Sequence, residues 1–233
     1  MDVALVQKST QSHRSRAVQS LLRKQQLIGS TIECIDQFGL SQTTIAKIAL
    51  HAGVSQGVVI FHFQTKELLL EQVLRFLSKA YTDNWKSAIA LAGEAPIDQL
   101  CSIVLSAFSP EVCNRKNVGV WYAFWGASQS RPTYQEVCGQ TDREFSSTLL
   151  SLCTQLCVGV KTSVSAEVAA MGIEGMLDGL WQSCLIEESK FSPKEANKTV
   201  FALMELMFPL EKNTIEEYKV CLLYTSPSPR DVE

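Results

Sequence analysis

Residues 43 to 63 read TTIAKIALHAGVSQGVVIFHF, and the spacing from Ala49 to Gly53 inside that stretch leaves the chain few ways to fold. Thr43 or Thr44 is placed to cap a short helix on which Ile45, Ile48 and Ala49 face inward, because hydroxyl side chains accept from the unpaired amides of a first helical turn. Gly53 ends that helix, since glycine enters the left-handed region without a Cβ penalty. Ser55 caps a second short helix running through Phe61. Ala49 is small enough for the two helices to cross closely, with Val54 and Val59 filling the space between them. The segment therefore reads as helix, tight glycine turn, helix.

The rest of the chain also reads as helical. Apolar residues recur at spacings of three and four, Gly and Pro punctuate, and no β-branched run alternates with polar residues. The first helix is expected from about Leu21 to Phe38, with Leu27, Ile28, Ile32, Ile35 and Phe38 on one face and Gly39 as its cap. Later helices are expected at about Lys66 to Ala92, Ile97 to Phe108, Val118 to Ser128, Thr133 to Cys157, Ser165 to Glu188 and Pro193 to Phe208. The fold class is thus all-α, with an N-terminal helix-turn-helix domain and a larger C-terminal helical domain. Residues 1–19 read as a basic arm, 20–80 as the helix-turn-helix domain, 81–212 as the larger domain and 213–233 as a tail. From about Val220 the tail reads VCLLYTSPSPRDVE, where Pro227 and Pro229 forbid a continuing helix, and it resembles translated adaptor or vector sequence.

The whole-chain charge of -3 seems to argue against a polyanionic partner. Its distribution argues the other way. Residues 1–80 hold nine Lys and Arg against five Asp and Glu, net +4, and the remainder holds twelve against nineteen, net -7. Lys8, Arg14, Arg16, Arg23 and Lys24 all precede the first strongly periodic segment, with Asp2 the one acid among them. A basic arm ahead of a small helical domain points to nucleic acid. A helix-turn-helix presents the outer face of its second helix to the major groove. There Gln56 suits an adenine edge, Gly57 leaves room for close backbone approach, and Val58 or Ile60 suits a thymine methyl. Thr43, Thr44 and Ser55 stand at helix N-termini, where amides and the dipole favour phosphate. Phe61 belongs to the aromatic cluster closing the second helix, and His62 and Lys66 follow at positions suited to phosphate contacts.

Catalysis is not expected. The three histidines, His13, His51 and His62, all lie in the first 80 residues, and no phosphate-cradling glycine loop is present. Eight cysteines match no paired zinc-ligand spacing, so reduced, mostly buried thiols are expected, with no metal and no cofactor. Cys153 and Cys157 share a helix face, and together with Cys138 they leave open a thiol-oxidation sensor as the alternative to a ligand-responsive one. No apolar stretch approaches the ~18 residues of a membrane span, and the first residues lack a secretory apolar core. A cytoplasmic protein with no membrane partner is the expectation.

Beyond residue 80 the aromatics gather. Trp121, Tyr122, Phe124 and Trp125 lie together, and Trp181 follows Asp178 in GMLDGLW. Spacings of four and three put Trp121 with Trp125, and Asp178 with Trp181, on common helical faces. An acid among tryptophan faces suits a quaternary ammonium ligand, which offers no hydrogen bonds but is attracted by ring quadrupoles and a counter-charge. The same spacing also serves a plain packed core.

The leading helix, TTIAKIALHAGVSQG, the aromatic FHF and then KELL together resemble the DNA-binding domain of TetR-family transcriptional regulators, over about Arg23 to Leu77. Lys66 matches the lysine that opens the family's next helix and contacts the backbone. Ile60, Phe61 and His62 before Phe63 depart from the family's usual aromatic cluster, and a tyrosine hydroxyl is missing there. WYAFWGASQSRPTY and GMLDGLW resemble the C-terminal domain of BetI-type regulators, the choline-responsive repressors of glycine-betaine synthesis, and the similarity spans most of residues 20 to 208. The resemblance implies a homodimeric repressor on a near-palindromic double-stranded DNA operator, released by a small-molecule effector such as choline or a related cation. Trp121, Trp125, Asp178 and Trp181 match the family's aromatic and acidic positions, and Tyr122 stands beside them. Pairing is expected through the helices near Thr133 to Cys157 and Ser165 to Glu188, where Gly172, Gly175 and Gly179 permit close approach. The helix from Lys66 to Ala92 is the expected lever.

Overall fold

The computed structural model describes residues 3–127, 132–158, 164–187 and 189–224. Among them the chain is helical with no strand: α1 (Val3–Gln42), α2 (Ile45–His51), α3 (Gln56–Phe63), α4 (Lys66–Leu91), α5 (Pro96–Ala107), α6 (Arg115–Ala127), α7 (Pro132–Cys157), α8 (Ala166–Ile186), α9 (Pro193–Met207), a 3-10 turn (Pro209–Glu211) and α10 (Lys212–Tyr224). Local signals explain most of the boundaries. Pro96 and Pro193 open α5 and α9, where a missing amide hydrogen costs nothing. The hydroxyls of Ser165 and Ser192 accept from the amides of Val168 and Glu195, three residues on. The expected ends at Ser128 and Glu188 lie outside the described residues.

Two elements differ from the sequence reading. The basic arm is not separate from the first helix, because α1 already begins at Val3. No Gly or Pro occurs before Gly29, and Ala, Leu, Gln, Lys and Arg recur, so nothing interrupts the helix despite its charge. Its regular run ends at Gly39, whose φ of 76° lies outside the helical region. The second difference is α10, which occupies part of the expected tail. Ile215 is fully buried, the Tyr218 hydroxyl donates to the Asp98 carboxylate at 3.2 Å, and Lys219 pairs with Glu205. Residues 225–233 lie outside the described residues.

The chain divides into two compact units, one formed by residues 1–76 and 119–134, the other by 77–118 and 135–233. The sequence reading had placed 119–134 in the larger domain. The first unit packs Leu27, Ile28, Ile32 and Ile35 of α1 with Ile48, Ala49, Val59, Phe63 and Leu69. Phe38 shares the expected stripe but stays exposed, and the Lys47 ammonium lies 4.2 Å from the centre of its ring. The second unit is built on Leu100, Ile103, Phe108, Leu149, Ile173, Phe201, Met204 and Ile215. Each such side chain contributes about 1.5–3 kcal/mol by leaving water.

The turn between α2 and α3 has a definite closure. The Val54 amide donates to the Ala49 carbonyl at 2.9 Å and the Gly53 amide to Leu50 at 3.1 Å, with Gly53 at φ 64°. This is the double bond of a Schellman motif. It bends the chain by 110° between α2 and α3. A Cβ built on Gly53 would meet nothing within 4 Å, so replacing it is resisted by backbone conformation alone. Gly53→Ala is expected to lower the free energy of unfolding by about 1–2 kcal/mol at unchanged m, and Gly53→Asn by less, in urea titrations.

Candidate functional site

The turn sets which residues of α3 face outward. Gln56, Gly57, Ile60 and Phe61 are exposed, Val58 and His62 are half-buried, and Val59 and Phe63 enter the core. Phe61 keeps 81% of its surface accessible and Ile60 50%, an apolar pair on a surface otherwise suited to base edges. A Cβ on Gly57 would make an ordinary 3.7 Å contact with the Ser55 hydroxyl, so nothing within the protein demands glycine there. What glycine adds is room for a partner's backbone or base. Ser55 sits at the N-cap of α3 without a side-chain capping bond, and Thr44 caps α2 by accepting from the Lys47 amide at 3.3 Å.

Thr43 is corrected by the structure as a DNA-facing residue. Its side chain is fully buried and its hydroxyl donates to the Gly39 carbonyl at 2.8 Å, where it closes the end of α1. Lys66 is half-buried and its ammonium lies 3.4 Å from the Leu40 carbonyl, which fixes the start of α4 against the end of α1. The His62 ring is held below its ordinary range, first by partial desolvation and then by the positive charges of Lys24 and Arg23. Lys24 and Arg23 thus bring positive charge to the end of α3.

The aromatic candidates divide between the units. In the first, Trp121 and Trp125 stack obliquely with ring centres 6.4 Å apart, Tyr122 meets Trp125 edge-on at 5.0 Å, and Trp121 meets Tyr134 at 6.3 Å. The Trp125 indole N–H donates to the Tyr134 hydroxyl, which locks two of the rings. Sequence spacing had paired Trp121 with Trp125 but could not supply Tyr134, which comes from the next helix. Glu67 and Glu71 of α4 share a cleft of about 370 Å³ with Phe124 and Tyr134. In the second unit, Trp181 is buried, donates its indole N–H to the Ala107 carbonyl at 2.8 Å, and meets Tyr81 edge-on at 5.5 Å. Asp178, three residues before it, is an exposed residue. Its carboxyl is nonetheless pushed up to about 6 by desolvation and by the like charges of Glu174 and Asp142.

The cysteines fit packing better than redox sensing. Cys138 and Cys153 are fully buried, and burial, with Cys157 beside it, pushes the Cys153 thiol up to about 12. The thiolate is the reactive form, so such a thiol is inert near neutral pH. Among the described residues no group of three or more His, Cys, Asp or Glu is placed to hold a metal ion, and no single helix is long and apolar enough to cross a membrane.

A short helix, a left-handed glycine turn and an exposed second helix, joined to a separate helical unit rich in aromatic side chains, define a helix-turn-helix transcriptional regulator with its own sensing domain. The comparisons with known proteins agree. Residues 27–73 match the family of bacterial regulatory proteins of the tetR type, and residues 96–209 match the BetI-type transcriptional repressor C-terminal domain. The chain belongs to the TetR family of DNA-binding transcriptional regulators, with a BetI-type C-terminal domain. It is 32% identical over 179 residues to the HTH-type transcriptional regulator BetI of Pseudomonas paraeruginosa, a match covering 75% of this chain and 87% of that one. A solved chain from Pseudomonas aeruginosa PAO1 superposes with a TM-score of 0.69 at 25% identity, covering 84% and 94% of the two chains. A chain from Saccharomonospora viridis, solved in complex with choline, has the same fold at TM-score 0.68 and 20% identity, covering 78% and 95%.

One feature of the second unit escaped the sequence reading. The Thr82 hydroxyl and the Trp85 indole N–H, one helical turn apart on α4, are buried and lack a hydrogen-bond partner, as is the Asn197 carbonyl oxygen. A buried polar atom left in this condition costs about 1–3 kcal/mol. Thr82→Val, which keeps the shape and removes the hydroxyl, is therefore expected to raise the free energy of unfolding by about 1 kcal/mol, read as a higher melting temperature in calorimetry.

Proposed function

We propose that this regulator is a homodimeric repressor that leaves its operator when a small organic cation of the choline type binds. The observation that carries the reading is the locked cluster of Trp121, Tyr122, Trp125 and Tyr134, four aromatic rings joined in a chain of contacts 5.0–6.4 Å between centres. Ring faces attract a cation that has no hydrogen-bond donors, by about 2 kcal/mol for each desolvated contact. The choline complex of the fold relative from Saccharomonospora viridis supports the same ligand chemistry. In the second unit Asp178, three residues before Trp181, is a second candidate for contact with a cation and is tested separately from the cluster.

Release follows from linkage. A ligand that favours the conformation with lower operator affinity weakens DNA binding by the factor by which DNA weakens ligand binding, and a coupling of about 1–3 kcal/mol gives roughly 5- to 150-fold. The helix α4 contributes residues to both units and supplies a continuous backbone for that coupling.

Pairing is assigned to α8. Val168, Met171 and Ile186 are exposed there, and Gly172, Gly175 and Gly179 lie on open surface where an added Cβ would meet nothing within 4 Å. Helix α9 adds exposed Leu206. An apolar face interrupted by glycine suits a second copy of the same helix, since the backbones can approach closely.

Titration calorimetry with choline and betaine aldehyde tests the effector reading. Trp125→Ala is expected to weaken choline binding about thirtyfold, the equivalent of one lost cation–π contact. Asp178 adds a pH signature. Its carboxyl is neutral below about 6, so choline affinity should fall as pH drops through that value and stay level in Asp178→Asn. A wild type that binds neither cation, or an unchanged Trp125→Ala, refutes the reading. Gly175→Glu, which sets like charges face to face across the pairing surface, should convert the dimer to a monomer in light scattering.

A further inference from the structure

The middle of α1 and the end of α3 form an open cleft of about 670 Å³, whose lining includes Arg16, Gln19, Leu22, Arg23, Gln26 and His62. Among the described residues no carboxylate lines it. Lys24 acts on His62 electrostatically from the same helix, so Arg16, Arg23, Lys24 and His62 are concentrated at one place. The side chains there are also ordered by hydrogen bonds that run back to the helix-turn-helix. The Gln26 amide donates to the Ala52 carbonyl at 2.9 Å, and Arg23 donates through Nη1 to the Gln26 carbonyl oxygen at 2.6 Å. Ala52 is the residue that ends α2, immediately before Gly53. An arginine on α1 is thereby held in register with the turn that aims the recognition helix, and the other donors of its planar fork are left to the cleft.

We propose that this cleft is a phosphate site for duplex DNA outside the recognition helix, in which Arg16, Arg23 and His62 contact one backbone phosphate and Gln26 is a positioning residue acting through Arg23. Phosphate is the fitting ligand because three cationic or protonatable groups converge without a counter-ion, and a guanidinium binds phosphate oxygens in pairs. Preorganisation by Gln26 removes much of the rotamer entropy that an arginine otherwise loses on binding. The site adds backbone affinity and fixes the head's orientation on the duplex, without reading sequence. It rests on the DNA-binding function of the head and is independent of the effector, so its failure leaves the cation reading untouched.

The test uses the full chain and a duplex enriched by the wild-type protein from a random pool, with affinity measured as a function of salt. Arg23→Ala and Arg16→Ala should each weaken binding about tenfold and reduce the slope of log affinity against log salt by about 0.9. Gln26→Leu keeps every charge but should also weaken binding. Its effect should vanish in the Arg23→Ala background, because a residue that acts through Arg23 has nothing left to position. Single uncharged methylphosphonates along the duplex should reveal one position that costs the wild type about tenfold and Arg23→Ala nothing. All three substituted residues are exposed, so melting temperatures should be unchanged. Unchanged slopes in both arginine variants overturn the site, and additive losses in the Gln26→Leu, Arg23→Ala double variant overturn the role of Gln26.

Discussion

The hydrogen bond from the Val54 amide to the Ala49 carbonyl, closed over a left-handed Gly53, is the constraint on which the reading head depends. It sets the 110° bend between α2 and α3, and the bend decides which side of α3 meets the core. Val59 and Phe63 go inward, and Gln56, Gly57, Ile60 and Phe61 go outward. The same closure leaves the Ala52 carbonyl turned toward α1, where Gln26 takes it up. One backbone motif therefore organises the recognition surface and also the cationic cleft beside it. A Cβ at 53 would meet no atom within 4 Å, so the requirement lies in the backbone and not in packing.

The aromatic residues of the two units are held by a different kind of order. Trp125 and Tyr134 hold each other through a hydrogen bond, and Trp181 is anchored on the Ala107 carbonyl, so these rings present fixed faces. Thr82 and Trp85 are the opposite case, polar groups taken out of water with nothing to answer them. Asp178 stands between the two conditions, exposed as a residue yet discouraged from ionising by partial desolvation and by the like charges of Glu174 and Asp142.

Much of the fold was legible because its signals are local. Gly and Pro punctuation and periodic apolar residues gave α4 through α9 to within a few positions. The candidate site was legible in part. Gln56, Gly57, Ile60 and Phe61 follow from helical phase once the turn is recognised, whereas Thr43 and Thr44 are neighbours of one residue type with opposite fates. Thr43 is buried because the Gly39 carbonyl is within reach of its hydroxyl, a contact that depends on the bend at the end of α1. Gln26 gave no signal, because its partner Ala52 lies 26 residues away. The start of α1 was obscured by charge, and α10 by the proline-rich stretch that follows it.

The sequence by itself determined that the chain is helical, that a glycine turn joins two short helices near residue 53, and that positive charge gathers in the first 80 residues and negative charge beyond. Each of these depends on residues close together in the chain: capping, φ preference, periodicity and composition. Tertiary structure decided which cations converge on His62, that Tyr134 completes the tryptophan cluster, that 119–134 groups with the reading head, and that Thr82 and Trp85 are buried without partners. Those outcomes turn on distances between residues on different helices, and helical phase alone does not specify them.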